Sequence, residues 1–249
     1  MTAALPNRIP TDSLSYRGGD PRQRLIIALD VSTAAAAQKI VAAVGDSALT
    51  YKVGMQLYTA VGPQIVRDLV ASGRRVFLDL KYHDIPNTVG AAVAEADKLG
   101  VNMLTIHAAG STKMVRAAVE AAKVRPELMV LAVTVPTSMD GHDLETIGIR
   151  GSVEDSVVRL ATVALAQGCQ GVVTSAREAS TLRAKLGDRF ALVTPGVRPA
   201  GSGAGDQVRV VTPAEAIASG ASHIVVGRPI TEAADPAAEA RAILGQIRS

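Results

Sequence analysis

Along this chain a short run of mostly apolar residues, ending in a polar or charged side chain, is followed repeatedly by a longer stretch with apolar residues at helical spacing. The first run covers 24–30 and ends in Asp30; Ser32 or Thr33 can cap the Ala-rich helix behind it. The second, 48–54, places Lys52 near its end and precedes a helix predicted over about 55–71. The third opens the stretch 76–88, in which Val76, Phe77, Leu78 and Leu80 read as a strand covered on both faces. Asp79 and Lys81 share one face of that strand, because side chains repeat every second residue, and Asp84 follows just past its end. Pro86 suits the first turn of the next helix. Further strands are predicted at 103–108, 128–135, 171–176, 191–196 and 223–228, with helices at about 111–123, 152–167, from Arg177, and 236–247.

Strict alternation of strand and helix makes the strands parallel, since each right-handed crossover returns the chain in the same direction. Eight such units in roughly 225 residues match a single-domain (β/α)₈ TIM barrel of the α/β class, usually ~250 residues long. An open doubly wound sheet fits less well: no Gly-x-Gly-x-x-Gly turn follows the first strand, and nearly every strand ends in a polar residue, as when all ends converge on one mouth. Residues 1–23, with Pro6, Pro10, Gly18, Gly19 and Pro21 among polar residues, are expected to form an irregular arm, and 24–249 the barrel.

With 249 residues and 48% of them hydrophobic, the chain can bury one large core. Its net charge of +3 is scattered, and two Phe, four Tyr and no Trp offer few stacking platforms, so nucleic acid is an unsuitable partner and a small anion a better one. No apolar run is long enough to span a bilayer. Cys169, the only cysteine, cannot form an intrachain disulfide; it reads as a small buried hydrophobe, and the expected location is the cytoplasm.

On a barrel, Asp30, Lys52, Asp79 and Lys81 fall at the C-terminal ends of three neighbouring strands, where active sites are built. Burying such charges costs several kcal/mol per ion unless they satisfy one another, so the cluster is expected to alternate in sign, with the opposite charges holding each other ionised. Two carboxylates could instead bind a divalent cation, but Lys52 and Lys81 occupy the space it would need, and no metal site is expected. His107 reads equally as a participant and as a hydrogen-bonded support; His83 reads as a loop neighbour. At the other end of the chain Gly196 and Arg198, then Gly227 and Arg228, follow the last two strands, where barrels bind phosphate. Between them the Gly-rich stretch 200–207, ending in Gln207, suits a closing lid.

Together these residues resemble the orotidine 5′-phosphate decarboxylase family. Asp79-x-Lys81-x-x-Asp84-Ile85-x-x-Thr88 is similar to that family's signature, and Asp30, Lys52, Thr137-Ser138, Arg198, Gln207 and Gly227-Arg228 fall in its order, from about residue 24 to the C-terminus. The resemblance implies loss of CO₂ from C6 of orotidine 5′-phosphate and protonation of C6 by Lys81 to give UMP, with no cofactor. It further implies that Asp79 faces the departing carboxylate, that Lys52 and Asp84 hold Lys81, and that Asp84, Ile85 and Thr88 belong to a site at a homodimer interface. Asp30 would meet the ribose, Thr137 or Ser138 the pyrimidine, and Gln207, Arg198, Gly227 and Arg228 the phosphate. A wider group of metal-dependent sugar-phosphate decarboxylases and aldolases shares Asp-x-Lys-x-x-Asp; there the position of Lys52 resembles an acidic metal ligand. A non-catalytic nucleotide-binding regulator is the other alternative, and the intact charged cluster argues against it.

Overall fold

The computed structural model describes residues 20–199 and 211–247. Its strands, β1 Leu25–Ala28, β2 Thr50–Gly54, β3 Arg75–Tyr82, β4 Met103–His107, β5 Met129–Val133, β6 Gly171–Val173, β7 Ala191–Thr194 and β8 His223–Val226, close in sequence order into an all-parallel barrel. Helices α1 Pro21–Arg24, α2 Ala34–Val44, α3 Met55–Val61, α4 Gln64–Ala71, α5 Pro86–Lys98, α6 Ser111–Ala122, α7 Gly141–Thr146, α8 Val153–Ala166, α9 Ala176–Leu186, α10 Pro213–Ala218, α11 Arg228–Thr231 and α12 Pro236–Gln246 complete the order. This is the TIM barrel that the alternation predicts.

Period-two alternation divides the apolar side chains into two cores. Leu25, Ile27, Val53, Leu78, Leu104 and Val172 point outward and pack under the helices. Ile26, Ala28, Phe77, Met103, Leu131, Val193 and Val225 form a separate buried cluster that fills the barrel. At ~1.5–3 kcal/mol for each large side chain buried, this plug gives the charged mouth above it a rigid floor. Gly171 is required within it: a Cβ there would stand 2.4 Å from the Ala191 carbonyl oxygen and 2.8 Å from Leu131.

Several boundaries differ from expectation. Residues 21–23, expected to be irregular, belong to α1, where Pro21 takes the first turn and Asp20 caps it. Arg24 ends this helix rather than starting β1; its buried guanidinium donates to the carbonyls of Ser222 and Ile247 and closes the barrel floor. The predicted helix over 55–71 is two helices, because Gly62 turns at φ 71° and Pro63 follows it. Runs read as strand through 135 and 176 stop at Val133 and Val173, leaving their polar ends as mouth loops.

The ladder between β3 and β4 breaks at the functional end. Leu78 pairs with Leu104, but the next pair is Tyr82 with Ile106, so Asp79, Leu80 and Lys81 pass the single residue Thr105. Lys81 sits at φ 52°, a left-handed conformation that side chains other than glycine rarely adopt. Such bulges re-aim side chains next to active sites.

Candidate active site

Asp79 and Lys81 meet as strand alternation requires, although the backbone between them is irregular. Lys81 Nζ lies 2.9 Å from Asp79 Oδ1. On the neighbouring strand Lys52 Nζ lies 2.8 Å from Asp30 Oδ1 and 3.9 Å from Asp79 Oδ2. The four groups therefore form a row of alternating sign across β1, β2 and β3. Asp79 and Lys52 each expose 13% of their side chains, against 30% for Lys81 and 58% for Asp30, so the middle of the row is its most buried part. Lys52 fits because β2 ends in Gly54, whose missing Cβ would stand 3.0 Å from its ammonium.

His107 closes β4 beside this row, its ring centroid 5.2 Å from that of His83. Burial, the neighbouring His83 and the Lys81 charge all push its pKa below the usual histidine range. His83 is exposed, in keeping with a loop neighbour. The Cys169 thiol is buried and pushed up to about 12, which makes it inert as a nucleophile.

The row lines one side of a cavity of about 660 Å³, within the range of small-molecule sites. Thr137 and Ser138, beyond β5, line the same cavity, as do Gly196, Arg198, Gly227 and Arg228. Gly196 turns at φ 75° and sends the chain back so that Val197 pairs with Val211 and the Arg198 N–H donates to the Val211 carbonyl at 2.9 Å. Val197 and Arg198 are thus held against Val211 at the edge of the cavity. Gln207 and the Gly-rich stretch expected to close the site lie outside the described residues. Gly227 has negative φ, and a Cβ there would make only ordinary contact with Ala28 at 3.6 Å.

Asp84, Ile85 and Thr88 stand apart from the row. All three are exposed, and Asp84 and Ile85 line a second concavity with His83, Pro86, Gly110 and Ser111. Asp84 accepts a hydrogen bond from the Ile85 N–H and forms no ion pair with Lys81 among the described residues. Among the described residues, no three His, Cys, Asp or Glu converge as metal ligands.

Residues 23–243 match the sequence model of the Orotidine 5′-phosphate decarboxylase / HUMPS family. The chain belongs to that family. It is 52% identical over 228 residues to the orotidine 5′-phosphate decarboxylase of Afipia carboxidovorans, covering 92% of this chain and 96% of the relative. The protein of the same name from Anaeromyxobacter dehalogenans is 52% identical over 223 residues, covering 90% and 97% respectively. Among solved structures, the orotidine 5′-phosphate decarboxylase of Lactobacillus acidophilus superposes with a TM-score of 0.83 at 36% identity, covering 91% of this chain and all of that one. The family match spans all eight strands of the barrel.

Two residues of the site carried no signal of their own in the sequence. Gly54 read only as a strand end. Thr105, fully buried in β4, donates to Asp79 Oδ1 at 2.9 Å and accepts the Lys81 N–H at 2.9 Å, yet a threonine in an apolar run is ordinary strand chemistry.

Proposed function

We propose that the chain decarboxylates orotidine 5′-phosphate to UMP, the last step of pyrimidine nucleotide synthesis, using the row Asp30, Lys52, Asp79 and Lys81 as its reactive end. The observation that carries this reading is the Lys81 ammonium, held 2.9 Å from the Asp79 carboxylate inside a cavity that also presents Arg198, Gly227 and Arg228. When the bond between C6 and its carboxylate breaks, CO₂ leaves and the electron pair stays on C6, in the plane of the ring. That pair cannot delocalise into the π system, so its stabilisation must be electrostatic and local. Lys81 supplies the positive charge and then a proton to C6, regaining one from solvent. Asp79 lies against the departing carboxylate, and Lys52 fixes Asp79 from its other side.

In this reading Asp30 meets the ribose, Thr137 and Ser138 the pyrimidine, and Gly227, Arg228, Arg198 and Gln207 the phosphate. Arg228 and Arg198 suit that task because a guanidinium grips phosphate oxygens in bidentate fashion. Binding energy from that end can organise the charged row for the transition state. Residues 24–249 act as one catalytic domain, as a homodimer in the cytoplasm. The exposed Asp84, Ile85 and Thr88 support the dimer, since a second copy seated on them would bring Asp84 to Lys81 of its partner. The reaction as written needs neither metal nor cofactor: two lysines occupy the positions beside the carboxylates where a cation would sit.

The test is loss of orotidine 5′-phosphate absorbance with purified, chelator-treated protein. Stoichiometric UMP and CO₂ are expected; turnover restored only by a divalent metal would overturn the reading in favour of a metal-dependent lyase.

A further inference from the structure

We propose that Thr105 is a positioning residue that sets the geometry of the Asp79 and Lys81 pair. It rests on the decarboxylase reading above. Where β3 leaves the ladder, three residues pass one residue of β4, and that one residue is Thr105. The Lys81 N–H, which has lost its place in the ladder, finds its acceptor in Thr105 Oγ1 at 2.9 Å. The same hydroxyl donates its only proton to Asp79 Oδ1 at 2.9 Å, the oxygen that also receives the Lys81 ammonium. One buried side-chain atom therefore fixes both ends of the ion pair, the carboxylate directly and the lysine through its backbone.

The backbone conformation gives this contact its consequence. A non-glycine residue in a sparsely populated region is strained and persists only when its surroundings over-determine it. At Lys81 the observed φ of 52° is backed by the hydrogen bond to Thr105. Without the hydroxyl, the bulge can relax toward regular pairing and Lys81 re-aims. The donation to Oδ1 also leaves Asp79 Oδ2 as the oxygen facing Lys52, at 3.9 Å. Thr105 thus sorts the two carboxylate oxygens between two ammonium groups without touching the reacting atoms itself.

The test compares Thr105→Val, which keeps the shape and removes the hydroxyl, with Thr105→Ser, which keeps the hydroxyl. Thr105→Val is expected to lower kcat by about tenfold to hundredfold, the scale of one hydrogen bond to a charged group, with UMP affinity changed less than about threefold. Thr105→Ser should restore kcat to within about threefold of wild type. Amide hydrogen exchange at Lys81 should accelerate in the valine variant and not in the serine variant. Should Thr105→Val fail to fold, Thr105→Ser against Thr105→Ala asks the same question, since those two differ only in the hydroxyl. A folded hydroxyl-free variant with wild-type kcat would overturn the proposal. So would a serine variant as impaired as valine, or UMP affinity falling in step with kcat. Wild-type protein inert toward orotidine 5′-phosphate would instead remove the functional reading, leaving exchange at Lys81 to report on Thr105 alone.

Discussion

A Cβ placed on Gly54 would stand 3.0 Å from the ammonium nitrogen of Lys52. The backbone of Gly54, at φ −93° and ψ −179°, is open to any residue, so only the ammonium stands in the way of a side chain. Gly54→Ala is therefore expected to fold with near wild-type stability while displacing Lys52 from between Asp30 and Asp79. A loss of about tenfold in kcat/KM, equivalent to about 1.4 kcal/mol, is the predicted result. Unchanged kcat/KM together with unchanged melting would show that Lys52 has room to spare.

Arg228 opens α11 directly after β8 and lines the same cavity as Lys81. Arg228→Ala should lower kcat/KM for orotidine 5′-phosphate by about tenfold to a hundredfold, the loss of a charge-assisted contact worth ~1.5–3 kcal/mol. Orotidine, which lacks the phosphate, should react at nearly the wild-type rate with the variant. Phosphite added to orotidine should activate the wild type more than the variant. Equal losses on both substrates would assign Arg228 to the barrel rather than to the phosphate.

Most of the barrel was legible because strand and helix alternate strictly and nearly every apolar run gives way to a polar residue that the fold carries to the mouth. What stayed hidden depends on tertiary geometry. Alternation brings Asp79 and Lys81 to one face but does not show the bulge between them, since nothing in Val76-Phe77-Leu78-Asp79-Leu80-Lys81 marks a left-handed lysine. Other misses were readable in principle. Gly62 followed by Pro63 is a break that helical periodicity over 55–71 masked. Asp140 with Asp143, and Thr212 with Glu215, form capping boxes that start the unpredicted helices α7 and α10. Asp84 illustrates the reverse case: it belongs to the sequence motif, yet it is exposed and forms no ion pair with the row among the described residues.

That separation motivates a complementation experiment. In a two-fold dimer that shares its sites, a heterodimer of Lys81→Ala and Asp84→Ala protomers has one site with both lesions and one with none. Mixing the two inactive variants should restore activity, up to one intact site per heterodimer. Absence of recovery despite demonstrated subunit exchange would place Asp84 outside the partner's site.

On the barrel floor, His223 is buried and its pKa is pushed down to about 4, first by burial and then by the charges of Arg24 and Arg75. Because the folded pKa lies below the ordinary value of 6.5, the unfolded chain binds the proton more readily. The contribution to stability is complete above pH ~6.5 and is lost as the pH falls toward 4. Between pH 7 and about 4.5 the loss from this group should be about 2–3 kcal/mol. Urea unfolding of His223→Gln should show a pH dependence smaller by that amount over the same window, with catalysis per folded molecule unaffected. A variant with the wild-type slope would mean that other groups carry the acid sensitivity.

The proposed chemistry rests on Lys81, and its most direct test is the turnover of Lys81→Ala measured beside that variant's affinity for UMP. A group that serves the transition state and proton delivery lowers kcat and kcat/KM together when removed, while product affinity survives. The expected result is turnover below detection with UMP still bound. A variant retaining more than a tenth of wild-type kcat, a difference of less than about 1.4 kcal/mol in the barrier, would contradict the assignment of Lys81 as the charge and proton donor at C6.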